Sequence, residues 1–411
     1  MQTTDAMVIV GAGQAGATAA AALRDSGFDG PVLLIGQESE PPYERPALSK
    51  GYLQGTVQRE STAVHPPAWY VENDIELILG TAVVDVDPAM HRIWMSRGRH
   101  ADYRSLLMTT GSSPRPLPVG GADLVGVHYL RTLQDSDRIR SVLQRASSIV
   151  VIGAGWIGLE TAAAARAAGL QVTVLETAAL PLLRVLGPEV AQTFAALHRD
   201  HGVELRCGVQ VAEITWQYGH ATGVRLGDGG HVAADAVIVG AGILPNTRLA
   251  VAAGLTVDNG IRVDEQLRSS HPDIYAAGDV ANAFHPVLGR HLRVEHWANA
   301  VHQPKTAAQA MLGVDASYQR LPYFFTDQYD LGMEYTGYAE PDGYDQVVIR
   351  GDLHAREFIA FWLHDQRVVA AMNVNIWDVI EPIQELIRSG ERVDAATLAD
   401  PDVPLGELVT S

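Results

Sequence analysis

The stretch GAGQAG, residues 11–16, follows the short apolar run AMVIV and precedes an alanine-rich stretch. The same order recurs at GAGWIG, residues 153–158, between the apolar run 149–152 and the alanine-rich stretch 159–168. A glycine-rich turn between a strand and a helix lets the backbone approach a pyrophosphate, and the free N–H groups of the helix N-terminus favour that anion. One such turn is a weak signal. Two of them predict two dinucleotide-binding units of a doubly wound α/β fold.

Each glycine-rich turn is followed by a second strand and an acidic residue, which in such units accepts hydrogen bonds from ribose hydroxyls. The run 31–35 precedes Gln37 and Glu38, and the run 171–175 ends at Glu176. Each copy also closes with an apolar strand stopped by glycine, where the chain turns close to a ligand. We therefore expect a flavin and a nicotinamide dinucleotide. The candidates are Gly11, Gly13, Gly16, Gln37, Glu38 and Gly111 for the first, and Gly153, Gly155, Gly158, Glu176 and Gly242 for the second.

Glu176 also bears on which nicotinamide cofactor binds. Its carboxylate would repel a 2′-phosphate, which instead needs a nearby arginine. The first positive charge after Glu176 is Arg184, which we include among the nicotinamide candidates. The sequence therefore favours NADH over NADPH.

Composition excludes several classes of protein. The 411 residues carry a formal net charge of −18, which argues against a nucleic-acid partner. The single cysteine excludes a disulfide framework and a CxxC redox centre within the chain. No apolar run approaches the ~20 residues that span a bilayer, and no basic segment of a signal peptide precedes the first strand. We expect a cytoplasmic protein, with no membrane association and no metal site.

The motifs together resemble the ferredoxin reductases of oxygenase systems, the group of putidaredoxin and rhodocoxin reductases. Besides the two glycine-rich turns, the resemblance rests on these stretches: RPALSK at 45–50, GLE at 158–160, TTGSSPRPLP at 109–118, YLRTLQD at 129–135, AAGDVA at 276–281 and FTDQY at 325–329. They span nearly the whole chain in family order. The implied fold is glutathione reductase-like: an FAD domain interrupted by an NADH domain, then a C-terminal α+β domain. We place these at 1–112 with 246–322, at 113–245 and at 323–411.

The resemblance also implies roles for individual residues. Lys50 matches a lysine beside the flavin N5 edge, and Glu160 matches the glutamate that pairs with it near the nicotinamide. We expect these two to be catalytic. Ile157, like Glu160 and Glu176, falls where the family contacts NADH. Further FAD contacts fall at Ala15, Arg45, Pro46, Val83, Thr110, Arg131, Gly278, Asp279 and Trp297, in addition to Lys50 itself.

Lysine is rare in this chain, since only Lys50 and Lys305 occur among 30 lysine and arginine residues. A compact ammonium group can approach the flavin N5 and stabilise negative charge on the reduced ring, whereas the planar guanidinium of arginine is bulkier. The retention of lysine at position 50 therefore favours a functional role. We interpret Lys305, which lies in no motif, as a surface residue.

The implied activity is NADH:ferredoxin oxidoreduction. Hydride passes from NADH to FAD, and single electrons then pass to a 2Fe–2S ferredoxin that serves a haem-thiolate monooxygenase or a ring-hydroxylating dioxygenase. Because both proteins are expected to be acidic, we look for a local basic docking patch, at Arg290, Arg293 and Lys305. The alternatives are a rubredoxin- or quinone-type NADH reductase and a redox-sensing flavoprotein like apoptosis-inducing factor. We expect a monomer or a weak dimer.

Overall fold

The structure, a computed structural model, describes residues 5–408. It divides into two compact units, which are described separately. The first unit contains the described residues up to Arg45, with Gln58–Ser113 and Ile243–Arg320. The second contains Pro46–Val57, Pro114–Gly242 and the described residues from Leu321 onward. The predicted three-domain boundaries stay a prediction, and their outermost residues, 1–4 and 409–411, lie outside the described part.

A five-stranded parallel sheet forms the centre of the first unit. Its strands are almost continuously apolar, as expected for a parallel sheet covered on both faces. The backbone pairs Met7 with Val32 on one side and with Ser105 on the other. In spatial order the strands are Ile274–Ala276, Ser105–Met108, Met7–Val10, Val32–Ile35 and Ile75–Ile78.

Two alanine-rich helices cover this sheet, Gln14–Asp25 and Trp297–Met311. Their buried alanines let the helices approach closely, and Ala17, Ala20 and Ala308 are fully buried. The other elements of the unit are the helices Pro67–Glu72 and Arg248–Ala252, the 3₁₀ turns Glu60–Thr62, Ser96–Gly98 and Gly278–Val280, and the strands Val83–Asp87, Arg92–Met95, His100–Asp102, Ile243–Pro245, Ile261–Val263, Ala281–His285 and Arg290–Leu292. The strand Ser112–Pro114 ends at the boundary between the units.

The second unit contains its own five-stranded parallel sheet. Its strands, in spatial order, are Glu204–Cys207, Gln171–Glu176, Ser148–Ile152, Ala236–Val239 and Val127–Tyr129. The associated elements are the helices Gly51–Gln54, Leu133–Leu143, Trp156–Ala167 and Leu183–Asp200, the 3₁₀ turn Pro46–Ser49, and the antiparallel strands Val211–Gln217, His220–Leu226 and His231–Ala233. Both parallel sheets therefore carry the strand–turn–helix units that the sequence predicts.

A five-stranded antiparallel sheet completes the second unit. Its core includes Phe358, Phe361 and Trp362, all fully buried. The strands, in spatial order, are Tyr323–Gln328, Leu331–Gly337, Arg367–Val374, Glu357–His364 and Gln346–Asp352; they are followed by the helices Ile380–Ser389 and Ala395–Ala399 and the 3₁₀ turn Leu405–Glu407. Within residues 5–408, no helix combines the length and the apolarity that a membrane crossing needs.

Candidate cofactor sites and the buried lysine–glutamate pair

The first glycine-rich turn has the geometry that a pyrophosphate needs. Gly11 has φ of +122°, and a Cβ atom there would lie 2.1 Å from the carbonyl oxygen of Thr109. A Cβ atom on Gly16 would lie 2.0 Å from the carbonyl oxygen of Gly11. Gly13 is the N-cap of the following helix, has open space beside its Cα, and is followed by a first turn with neither a side-chain cap nor an acidic residue. The N–H groups of this helix end are therefore available to an anion.

The acid beside this turn is held by two side chains. Glu38 Oε1 accepts a hydrogen bond from Arg45 Nη2 at 2.8 Å, and Glu38 Oε2 accepts one from the Tyr43 hydroxyl at 2.5 Å. Gln37, which follows the strand Val32–Ile35, is exposed. Val83 is buried in the hydrophobic core of the unit, so packing alone accounts for its side chain, and its predicted flavin contact stays a prediction.

The second predicted flavin motif lies in the same unit. Gly278 has φ of +78°, and a Cβ atom on it would lie 3.1 Å from Cβ of Ala15 in the first turn. The structure therefore brings the two motifs together. Asp279 Oδ2 accepts a hydrogen bond from Ser112 Oγ at 2.7 Å, which fixes the direction of the carboxylate. Thr110 is fixed through the neighbouring strand, since its Oγ1 donates to the backbone oxygen of Asn246 at 2.9 Å.

A helix begins at the predicted residue Trp297. Its N-cap is His296, and the first turn has no acidic residue. Burial lowers the pKa of His296 to about 4, so this histidine is neutral at physiological pH. The positive end of the helix dipole is thus not offset by a carboxylate in its own first turn, which suits an anionic ligand group.

The second glycine-rich turn repeats the geometry of the first within the second unit. Gly153 has φ of +98°, and a Cβ atom there would lie 2.5 Å from the carbonyl oxygen of Gly240. A Cβ atom on Gly158 would lie 2.1 Å from the carbonyl oxygen of Gly153. Gly155 is an N-cap with open space and without a side-chain cap. Both turns therefore have the backbone geometry that a bound pyrophosphate needs.

Backbone amides hold the acid of this second site. Glu176 Oε2 accepts a hydrogen bond from the Ala154 N–H at 2.7 Å, and Oε1 accepts one from the Ala178 N–H at 2.8 Å. Arg184 is exposed on the helix Leu183–Asp200. Two further residues are predicted to contact the nicotinamide cofactor. Ile157 is 46% exposed. Gly242 has a positive φ of +89°.

The structure joins Lys50 and Glu160, which are far apart in the chain. Lys50 Nζ lies 2.5 Å from Glu160 Oε1, and Glu160 is only 5% exposed while Lys50 is 19% exposed. Lys50 is the N-cap of the helix Gly51–Gln54, and its ammonium group lies 5.7 Å from the ring centroid of Phe325. Removing Lys50 would leave the buried charge of Glu160 without its ion-pair partner, and a loss of this kind typically costs about 3–5 kcal/mol.

Two hydroxyl groups that the sequence motifs did not predict complete this pair. Ser49 Oγ donates to Glu160 Oε2, and Thr326 Oγ1 donates to Glu160 Oε1. Ser49 lies next to Lys50 in RPALSK, and this adjacency is a signal that the sequence contains. Thr326 lies in FTDQY, where no neighbouring residue indicates its contact with Glu160. Burial raises the pKa of the neighbouring Asp327, an effect that Lys50 opposes and Glu160 reinforces.

Other predicted residues lie elsewhere in the second unit. Pro46 begins the 3₁₀ turn that ends at Ser49, and Arg131 precedes the helix Leu133–Leu143. Thr132 caps that helix in a capping box with Asp135, which fixes the backbone beside Arg131. The predicted FAD contacts are therefore distributed over both units, and their contacts with FAD stay predictions.

The predicted basic patch needs a correction. The side chain of Arg293 is only 10% exposed and forms an ion pair with Glu295, so it cannot serve as a free docking cation. Lys305 is exposed, as predicted. Within residues 5–408, no group of three or more histidine, cysteine, aspartate or glutamate side chains is arranged to hold a metal ion.

Sequence comparison decides the family. The family described as pyridine nucleotide-disulphide oxidoreductase matches residues 5–304, and the family described as reductase C-terminal matches residues 323–409. The chain belongs to the pyridine nucleotide-disulphide oxidoreductase family. Membership confirms the predicted α/β fold and the predicted cofactors, FAD and NAD(H).

Two relatives of this chain match it over nearly their full length. It is 38% identical to putidaredoxin reductase of Pseudomonas putida, over 100% of this chain and 98% of that relative. It is 43% identical to the ferredoxin–NAD(+) reductase component of the anthranilate 1,2-dioxygenase system of Burkholderia cepacia, over 98% of this chain and 99% of that relative. The structure of the covalent putidaredoxin reductase–putidaredoxin complex matches with a TM-score of 0.95, at 38% identity, over 99% of this chain and 98% of that chain. The resemblance inferred from the sequence is thereby confirmed.

Proposed function

We propose that this chain is an FAD-dependent NADH:ferredoxin oxidoreductase whose electrons reach an oxygenase through a 2Fe–2S ferredoxin. The observation that carries the proposal is the combination of two dinucleotide turns with a single cysteine. A chain with one cysteine cannot form the internal dithiol that receives electrons in a disulfide reductase. The electrons must therefore leave to a separate acceptor, and the relatives named above are a putidaredoxin reductase and the ferredoxin–NAD(+) reductase component of a dioxygenase system.

The chemistry that bound FAD supplies is acceptance of a hydride and release of its two electrons one at a time. The protein contributes mainly position and electrostatics. In this proposal the two glycine-rich turns bind the pyrophosphates, and Glu176 binds the nicotinamide ribose and disfavours a 2′-phosphate. The other predicted cofactor residues have the roles given above. The proposal also includes the predicted domain boundaries.

We propose Lys50 and Glu160 as the catalytic pair. Glu160 holds the ammonium group of Lys50 in one place, and the ammonium group stabilises negative charge that develops on the reacting partner. Lys50→Gln should slow reduction of bound FAD by NADH by more than about tenfold while FAD stays bound. Lys305→Gln is the matched control, because it removes the other lysine, from an exposed position. Equal rates in the two variants would remove Lys50 from the mechanism.

The cytoplasmic location and the monomeric or weakly dimeric state are part of the same proposal. The experiment that tests the function is NADH-dependent reduction of cytochrome c by the purified holoenzyme, with and without a 2Fe–2S ferredoxin. We expect slow reduction until ferredoxin is added. Rapid NADH oxidation that ferredoxin does not change would reject the proposal.

One relative favours a second candidate acceptor. The rubredoxin–NAD(+) reductase of Pseudomonas putida is 35% identical over 90% of this chain and 96% of that relative. Adding a rubredoxin in place of the ferredoxin in the same assay distinguishes the two. Faster cytochrome c reduction with rubredoxin would reassign the acceptor and leave the NADH and FAD half of the proposal intact.

A further inference from the structure

A row of buried polar side chains extends away from Glu160 inside the second unit. Thr326 Oγ1 donates to Glu160 Oε1, and Gln328 Nε2 lies 3.4 Å from Thr326 Oγ1. His198 Nε2 lies 2.8 Å from Gln328 Oε1, and the Tyr329 hydroxyl lies 3.3 Å from His198 Nδ1. Thr326 and Gln328 are each 1% exposed, and His198 is 0% exposed. The three inner members are therefore shielded from water.

The fold positions these side chains for simple reasons. Thr326 and Gln328 are two residues apart on the strand Tyr323–Gln328, so they lie on the same face of the sheet. His198 comes from the last turns of the helix Leu183–Asp200. Tyr329 follows the strand with φ of +57°, and its ring stacks on that of His201 at a centroid distance of 3.8 Å.

The chemistry of Glu160 determines the direction of every hydrogen bond in the row. A carboxylate only accepts, so Thr326 must use its single proton on Glu160. Thr326 can then only accept from Gln328, which places the amide NH₂ towards Thr326 and the amide oxygen towards His198. The amide oxygen requires a proton on Nε2 of His198.

The neutral state of His198 extends the same logic to the outer end of the row. Burial lowers the pKa of His198 to about 4. At neutral pH the imidazole therefore carries one proton, on Nε2, and its Nδ1 accepts from the Tyr329 hydroxyl. All donors in the row then point towards Glu160.

A row of donors with one direction polarises its members cooperatively and stabilises negative charge at its acceptor end. The row does not conduct protons, since the amide of Gln328 interrupts any exchange between His198 and Thr326. Its effect is electrostatic and positional. It acts on Glu160, which in turn holds Lys50.

We propose that this row, which we name the donor chain, positions the Glu160 carboxylate for its role with Lys50. The positioning residues are Thr326, Gln328, His198 and Tyr329. The inference rests on the proposed function, because it assigns these residues to the catalytic pair. None of them is itself assigned a contact with substrate or cofactor.

The first test is independent of activity. Nitrogen-15 NMR of the histidine-labelled holoenzyme at neutral pH should show His198 as the neutral tautomer with the proton on Nε2, with the resonance assigned by its loss in His198→Gln. A proton on Nδ1, or a doubly protonated ring, would overturn the donor chain. This result holds or fails whether or not NADH reduces the protein, so it separates the donor chain from the proposed function.

The second test cuts the chain in the middle. Gln328→Met keeps the length of the side chain and removes both hydrogen bonds. We expect reduction of bound FAD at saturating NADH to slow roughly 3- to 30-fold, with an unchanged dissociation constant for NADH. Gln384→Met is the matched control, because it removes a similar glutamine–threonine bond, from Gln384 Nε2 to Thr336 Oγ1 at 3.0 Å, elsewhere on the same sheet.

A rate for Gln328→Met equal to that of the control would overturn the proposal. If Gln328→Met does not fold, Thr326→Val and Thr326→Ser replace it. Thr326→Ser retains the hydroxyl and should reduce bound FAD at the original rate. Thr326→Val should slow the reduction of bound FAD to the extent expected for Gln328→Met. Equal rates in these two variants would likewise contradict the donor chain.

Discussion

Glu38 and Glu176 follow matching glycine-rich turns, yet they are held in opposite ways. Side chains hold Glu38, through the Arg45 guanidinium and the Tyr43 hydroxyl. Two backbone N–H groups and the uncharged hydroxyl of Thr177 hold Glu176, and within residues 5–408 this carboxylate forms no ion pair. The charge of Glu38 is therefore largely compensated, whereas that of Glu176 remains available to repel a phosphate. Two sites with one backbone geometry thus differ in charge, which is the property that selects between ligands.

The largest effect should come from the glycines that both turns share. A Cβ atom on Gly16 or Gly158 would meet a backbone oxygen at 2.0 or 2.1 Å, so the helix must move away from its strand. We expect Gly16→Ala to yield protein without FAD, and Gly158→Ala to retain FAD but lose NADH binding, each with at least about 2 kcal/mol of lost stability. Flavin absorbance and urea unfolding measure both outcomes.

The control for these variants is Gly120→Ala, where an added Cβ atom meets nothing within 4 Å. Retention of FAD and of NADH binding by both Gly16→Ala and Gly158→Ala would show that neither turn binds a dinucleotide. Loss of FAD from both variants would show that the two turns do not bind separate ligands.

These glycines also show what the sequence could predict. A Cβ atom that would lie near 2 Å from backbone leaves room only for glycine, so the pattern of glycines specified both turns and the two parallel sheets. The partners of the acids and of Lys50 could not be predicted in this way. Thr326 reaches Glu160 only because the strand Tyr323–Gln328 lies against the helix Trp156–Ala167, and nothing in the local sequence specifies that packing. The sequence likewise could not predict that Pro46–Val57 belongs to the second unit, because that too depends on packing between residues far apart in the chain.

One histidine in each unit should make stability depend on pH through a lowered pKa. Burial lowers the pKa of His296 in the first unit and of His198 in the second from 6.5 to about 4. Between these values the unfolded chain binds protons that the folded chain does not, so the free energy of unfolding falls as pH falls from about 6.5 to 4. Each histidine contributes up to about 3 kcal/mol to that loss.

The urea midpoint as a function of pH measures this effect. His198→Gln and His296→Gln should each reduce the slope of the free energy of unfolding against pH, between about pH 4 and 6.5, by the amount that corresponds to about one bound proton. The double variant should reduce it by about two. A curve that stays as steep in both single variants would show that other groups cause the acid sensitivity.

The smallest expected effect comes from substituting the two acids, Glu176 and Glu38. Glu176→Gln removes the uncompensated charge and should reduce the preference for NADH over NADPH by at least about fivefold, the scale of one hydrogen bond to a charged group. Glu38→Gln should leave that preference unchanged and weaken FAD retention, because the ion pair between Arg45 and Glu38 is lost. Steady-state kinetics with both nicotinamides decide the matter. An unaltered preference in Glu176→Gln would refute the ribose assignment.

Electrons should leave this chain singly, to a ferredoxin. The most direct measurement is an anaerobic titration of the holoenzyme and an excess of oxidised 2Fe–2S ferredoxin with NADH, followed by the absorbance of the ferredoxin. Each NADH should reduce two ferredoxins, because a hydride carries two electrons and each cluster accepts one. NADH consumption without reduction of the ferredoxin would contradict it.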